Sequence, residues 1–201
     1  MSKIGKALPK NKGIKIVSID AKNILDRIRL CWGHIENWEN SKIVQESKEW
    51  LEKSNSVFKP TTFISYIDNS AVGIIEFLPQ RLMKQLGLCP CRANPEQEEI
   101  EKRYSLGRDF DNYLFISCLY VSKEHQGKGA GKALLNHLLN SKVFQNSDGL
   151  TVYVAERDKS WEDYISWPTG PKEFYLKSGF AIERNLENPK GYMLSYSARC
   201  E

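Results

Sequence analysis

The tightest constraint on this chain is the run Gln126-Gly127-Lys128-Gly129-Ala130-Gly131-Lys132, which follows the strongly apolar stretch Tyr113 to Val121. A strand that delivers small residues into the start of a helix builds an anion site. Unpaired backbone N–H groups converge there, and the helix dipole adds partial positive charge. Glycine lets the backbone approach an oxygen-rich group without obstruction by a Cβ, and Lys128 and Lys132 add charge. Spacing separates the loops of this kind. A nucleoside-triphosphate loop needs G-x-x-x-x-G-K-[ST]; here Gln126 stands where the first glycine should be, and Ala133 replaces the metal-binding hydroxyl. A dinucleotide loop needs G-x-G-x-x-G/A; counted from Gly127 the last place holds Lys132, and counted from Gly129 it holds Leu134. Both patterns fail.

The rest of the chain gives that loop a setting. Ile14 to Ile19 reads as a first strand ended by Asp20, and Asp20 or Asn23 caps a helix with Ile24, Leu25, Ile28 and Cys31 at helical spacing. A second helical stretch runs from about Ser41 to Lys53. Thr61 to Ile67, the turn Asp68-Asn69 and Ala71 to Leu78 form a hairpin. Pro79 to Asp111 is irregular, with a short acidic helix opened by Asn94-Pro95-Glu96-Gln97. Tyr113 to Val121 is a buried strand, Ser122 to Gly131 the loop, and Lys132 to Asn140 a helix with Ala133, Leu134, His137 and Leu138 on one side. Leu150 to Ala155 is a strand, Trp161 to Thr169 an aromatic connection, and Pro171 to Lys177 a helix stopped by Gly179. Phe180 to Glu183 and Tyr192 to Tyr196 close the chain as strands. No internal repeat is present.

Composition narrows the function classes. A chain of 201 residues with 41% hydrophobic residues suits one globular domain. The longest apolar stretch is strand-sized, far below the roughly 20 residues of a membrane span. The basic segment 1–13 has no apolar region behind it, so it reads as a flexible arm and the protein as cytoplasmic. With 29 basic and 25 acidic residues the net charge is only +4. That balance argues against a nucleic-acid binder but suits a pocket for a polyanion. Five cysteines form no disulfide framework. Cys89-Pro90-Cys91 lacks the further ligands of a zinc site, and no metal is expected.

The sequence resembles one family in particular. Gln126-x-x-Gly129-x-Gly131 matches the Q/R-x-x-G-x-G/A signature of the GNAT superfamily of acetyl-CoA-dependent N-acetyltransferases, in the family's place between a strand and a helix. Phe174-Tyr175-Leu176-Lys177-Ser178-Gly179-Phe180 is similar to its F-Y-x-x-x-G-F segment, about 45 residues downstream. The resemblance covers residues 14–196, taken as a single domain with an insertion at about 79–111. It implies an α+β fold: a mixed, mostly antiparallel sheet of six to seven strands flanked by helices, whose central strands splay apart to form the acetyl-CoA cleft.

It further implies that Gln126, Gly127, Lys128, Gly129, Ala130, Gly131 and Lys132 hold the pyrophosphate. Leu119 and Val121 offer main-chain groups to the pantetheine arm, and the Leu119 N–H donates to the thioester oxygen. The amine attacks directly, without an acyl-enzyme. Tyr175 matches the tyrosine that protonates the departing thiolate. Where some members carry a Glu on the fourth strand this chain has Phe115, so Glu76 is the best remaining base, unless water does that work. Pro168 and Pro171 stand where many members have an Asn and a small residue. The expected acceptor is a small-molecule amine, with no nucleic acid or membrane partner, on a monomer or homodimer. Protein or peptide acetylation and a non-catalytic acyl-CoA-binding module are the alternatives. Trp161, Tyr164 and Trp167 either plug the domain or wall the acceptor pocket.

Overall fold

The computed structural model describes residues 13–33, 38–87, 110–155, 169–187 and 190–198. Cys89, Cys91, the acidic segment after Asn94, and Trp161, Tyr164 and Trp167 lie outside them. Seven strands form one mixed sheet: β1 (Lys15–Ser18), β2 (Thr62–Ile67), β3 (Ser70–Pro79), β4 (Leu114–Val121), β5 (Gly149–Ala155), β6 (Ala181–Glu187) and β7 (Lys190–Ser197), in the order β1-β2-β3-β4-β5-β7-β6. Every pair is antiparallel except β4 with β5. A parallel pair needs a crossover. Here it is made by helices α4 (Ala130–Leu139) and α5 (Lys142–Gln145). The β2–β3 hairpin turns at Asp68 and Asn69, both at positive φ, the geometry that matches strand twist in a two-residue loop.

Helices α1 (Ile24–Trp32) and α2 (Lys42–Val57) cover one face of the sheet and α4 covers the other. β3 shows why it reads as apolar on both sides of Glu76: Ile74 and Leu78 enter the core under α1 and α2, while Ile75 and Phe77 enter the core under α4. A strand covered on both faces has no solvent-facing polar side. Glu76 lies between Ile74 and Leu78 and therefore faces α1. On α1 the apolar spacing holds for Ile28, which is fully buried, and for Ile24 and Cys31, which pack against the core, but Leu25 is 48% exposed and Arg27 is driven fully inside beside Ile28. On α4 the buried set is Ala130, Ala133, Leu134, Leu135 and Leu138. His137 sits beside it, edge-on to Phe63 at 4.6 Å. Two short helices were not legible in the sequence, α3 (Gln80–Leu86), inside the stretch read as irregular, and α5.

One irregularity shapes the site. Along β3 and β4, Glu76 opposes Cys118 and Phe77 opposes Ile116, so Ser117 has no partner and forms a β-bulge. β4 meets β5 only through Leu114–Leu150, Phe115–Thr151 and Ile116–Val152. Beyond that point β4 pairs only with β3, and β5 only with β7. A bulge bends the strand that carries it. Here it sits at the first residue past the last β4–β5 pair, and the two strands part from there.

Candidate active site

The gap between the parted strands opens into a cleft of about 490 Å³. Leu119, Tyr120 and Val121 of β4 form one wall, and the loop from His125 to Lys132 forms the mouth. Gly170, Pro171, Phe174, Lys177 and Ser178, on and around helix α6 (Lys172–Leu176), form the opposite wall. The backbone of β4 is oriented toward this gap. The Ser122 N–H donates to the Val72 carbonyl at 2.8 Å, on the β3 side. Register is regular from Leu119 to Val121. Successive residues of an antiparallel strand turn their main-chain groups to alternate sides. The N–H and C=O groups of Leu119 and Val121 therefore face the side that β5 has left.

Side-chain hydrogen bonds tie the loop to the end of β4. After a 3₁₀ turn at Lys123–His125, the Gln126 side chain donates back to the Val121 carbonyl at 3.0 Å, tying the loop to the strand end. Ser122 Oγ and His125 Nδ1 are 2.8 Å apart. Gly127 and Gly129 lie at φ +72° and +91°, a left-handed conformation that residues with a Cβ rarely adopt. Gly129 is the N-cap of α4, and no side chain caps that helix. Its carbonyl accepts the first helical bond, from the Ala133 N–H at 2.9 Å. The N–H groups of Ala130, Gly131 and Lys132 thus have no intrahelical acceptor and point at the mouth of the cleft. A Cβ built on Gly131 would stand 3.7 Å from Val121 and 4.0 Å from Phe174, so the cleft is narrow here and apolar just inside its mouth. Lys132 on one side and Lys177 on the other add cations. Donors at the mouth, apolar walls inside and a row of main-chain groups along one side fit an acylated pantetheine on a pyrophosphate.

The structure brings Leu119, Val121, Gln126, Gly127, Gly129, Ala130, Gly131 and Lys132 to one cleft, with Lys128 exposed on the same loop. It does not bring Glu76 or Tyr175 to the cleft surface. Glu76 is 0% exposed: Arg27 Nε and Nη2 donate to its Oε2 at 3.1 and 2.5 Å, and Ser117 Oγ donates to its Oε1 at 3.1 Å. Tyr175 is likewise 0% exposed. Its hydroxyl donates to the Thr169 carbonyl, and its ring is edge-on to Phe174 and Phe180, each at 5.1 Å. Sequence reasoning missed Tyr120, His125, Phe174, Lys177 and Ser178. Tyr120 and His125 lie within a few residues of the motif, and periodicity gives no sign of which β4 side chains reach the gap. Burial raises the Tyr120 phenol above its ordinary value, with nearby Cys31, Glu124 and Cys118 acting in the same direction.

The model of the GNAT acetyltransferase family matches residues 23–180, well over half of the chain. The chain belongs to this family. It is an acyltransferase by that membership, and the family uses acetyl-CoA. Solved structures show the same fold at low identity. Ard1 from Thermoplasma volcanium aligns over 94% of this chain and 99% of its own with a TM-score of 0.55 and 14% identity. GNAT-family acetyltransferases from Bacillus cereus (TM-score 0.54, 12% identity, 93% of this chain and 99% of that one) and Staphylococcus aureus Mu50 (0.54, 16%, 93% and 100%) do likewise. No curated protein matches the chain. Among the described residues, no helix is long and apolar enough to cross a membrane.

Proposed function

We propose that this chain transfers the acetyl group of acetyl-CoA directly to the primary amine of a small molecule, as a cytoplasmic enzyme, monomeric or homodimeric. The observation that carries the reading is the parting of β4 from β5, which leaves the Leu119 and Val121 main-chain groups without a strand partner above the uncapped start of α4. Acetyl-CoA supplies the activated acyl thioester. Gln126 to Lys132 hold its pyrophosphate, with Lys177 adding charge from the facing wall. Val121 and Leu119 align the pantetheine arm as a missing strand would. The Leu119 N–H donates to the thioester oxygen as the amine nitrogen bonds to the carbonyl carbon and the C–S bond breaks. One such fixed donor is worth roughly 3 kcal/mol in the transition state.

An alkylamine with a pKa near 10.4 is almost wholly protonated at neutral pH and must first lose a proton. We assign that transfer, and the return of a proton to the thiolate, to water in the cleft. Glu76 and Tyr175, each enclosed and hydrogen-bonded, act as structural groups. The small-molecule assignment is supported by Trp161, Tyr164 and Trp167, three large aromatics close together in the long connection between β5 and α6.

A thiol-release assay with acetyl-CoA across amino acids, polyamines, aminoglycosides and lysine peptides tests this. Thiol release that depends on a small amine, with kcat/KM at least about 10-fold above that for any peptide, is expected. A preference for peptides would make the protein a protein-modifying enzyme. CoA binding without amine-dependent release would make it a binding module.

A further inference from the structure

We infer that Arg27, Glu76 and Ser117 form a buried positioning device that fixes the bulge of β4 and thereby aims the Leu119 N–H into the gap. The inference rests on the acetyl-transfer reading above. Ser117 is the bulge residue itself and has no partner in the ladder. Its hydroxyl reaches across to β3, to Glu76 Oε1 at 3.1 Å and the Glu76 carbonyl at 3.4 Å. Arg27, from α1, grips the other carboxylate oxygen. Arg27 and Glu76 are 0% exposed and Ser117 3%. None of the three lines the cleft.

An ion pair in an apolar layer is a poor stabiliser, because desolvation offsets the attraction, and its best-attested use is to specify register. Register is the property at stake here. Main-chain groups alternate along β4, so losing the bulge, or sliding it past Leu119 toward Val121, would turn the Leu119 N–H to the β3 side. The surrounding side chains, Ile74, Leu78 and Cys118, are apolar and hold no particular register against such a slip. The Ser117 hydroxyl, anchored on a carboxylate that Arg27 holds in place, does.

The test measures kcat and KM for acetyl-CoA, with the best amine of the panel, in the wild type, Ser117→Ala and Ser117→Thr, alongside melting temperatures. Misplacing a catalytic group by about 1 Å costs on the order of 100-fold. Ser117→Ala, which frees the bulge, is expected to lose at least about 10-fold in kcat, with the acetyl-CoA KM within about two-fold because the pyrophosphate loop is untouched. Ser117→Thr keeps the hydroxyl and is expected to restore kcat. Should Ser117→Ala not fold, Ser117→Cys against Ser117→Thr makes the same comparison, since the thiol is a much weaker donor. Wild-type kcat in the variant lacking the hydroxyl overturns the inference. So does an equal loss in Ser117→Thr, or a rise in KM with kcat unchanged. A wild-type protein that releases no thiol with any amine overturns the transfer reading first, and this inference with it.

Discussion

Tyr175 is fully enclosed, and its hydroxyl is engaged within the fold rather than presented to the cleft. The Tyr175 phenol is a donor to the Thr169 carbonyl in a turn that carries Gly170 and Pro171 to the cleft wall. Phenylalanine would leave that carbonyl buried without this donor, a loss of about 1–3 kcal/mol. Tyr175→Phe is therefore expected to lower the melting temperature by several degrees, while kcat falls by less than the roughly 100-fold minimum of a lost general acid. Unchanged stability with a larger loss of turnover would return Tyr175 to the proton-transfer role. His137 is a second residue whose surroundings decide its behaviour. Partial burial of this largely exposed residue lowers its pKa in the folded protein, so the native state takes up a proton at slightly lower pH than the unfolded state. Stability then falls as pH drops through the unfolded value near 6.5. Melting temperatures at pH 7.5 and 5.5 should differ more in the wild type than in His137→Gln, and equal differences would mean that the ring is not desolvated.

At the scale of elements, the glycine loop was legible because its requirements are local. A glycine at φ +91° followed by an uncapped helix leaves its mark in adjacent residues. Gly129→Ala should cost about 1 kcal/mol from the left-handed strain alone. Gly131→Ala meets only ordinary contacts inside a helix and should be neutral or stabilising by up to about 1 kcal/mol. Denaturant midpoints of the two variants check the contrast, and equal losses would mean that the loop conformation is not what it is described to be. The parting of β4 and β5 was available only through the family resemblance. It depends on a bulge at Ser117, and a bulge is a relation between two strands that no single stretch of sequence displays. Arg27 was missed for the same reason, since its partner is 49 residues away. Helix α3 was missed through its shortness, although Gly87 at φ +69° ends it and gave a stop signal that could have been used.

At the scale of the molecule, two cores on opposite faces of one sheet were largely predictable from strand-sized apolar runs alternating with helical ones. The cleft arises where that layered plan is interrupted, so the weakest seam of the sheet and the proposed binding site coincide. A ligand seated there bridges β4 to the α4 and α6 side and has no equivalent site in the unfolded chain, so its binding free energy adds to stability. At 100 times its dissociation constant this is about 2.7 kcal/mol. For a domain of this size, 1 kcal/mol moves the melting temperature by roughly 2–4 °C, so saturating CoA should raise it by about 5–10 °C. In the proposed binding mode, much of the attraction is between phosphates and the exposed cations Lys128, Lys132 and Lys177. Raising the salt from 50 to 500 mM should therefore weaken binding and shrink the shift at fixed CoA concentration. Gly129→Glu should abolish the shift at either salt concentration, because it sets a carboxylate against the pyrophosphate and strains the helix cap. The Gly129→Glu protein must first show a cooperative melt of its own, so that lost binding is told apart from lost folding. Differential scanning fluorimetry with about 1 mM CoA makes the measurement; the cofactor assignment is wrong if the wild type shows no shift, or if Gly129→Glu shifts equally.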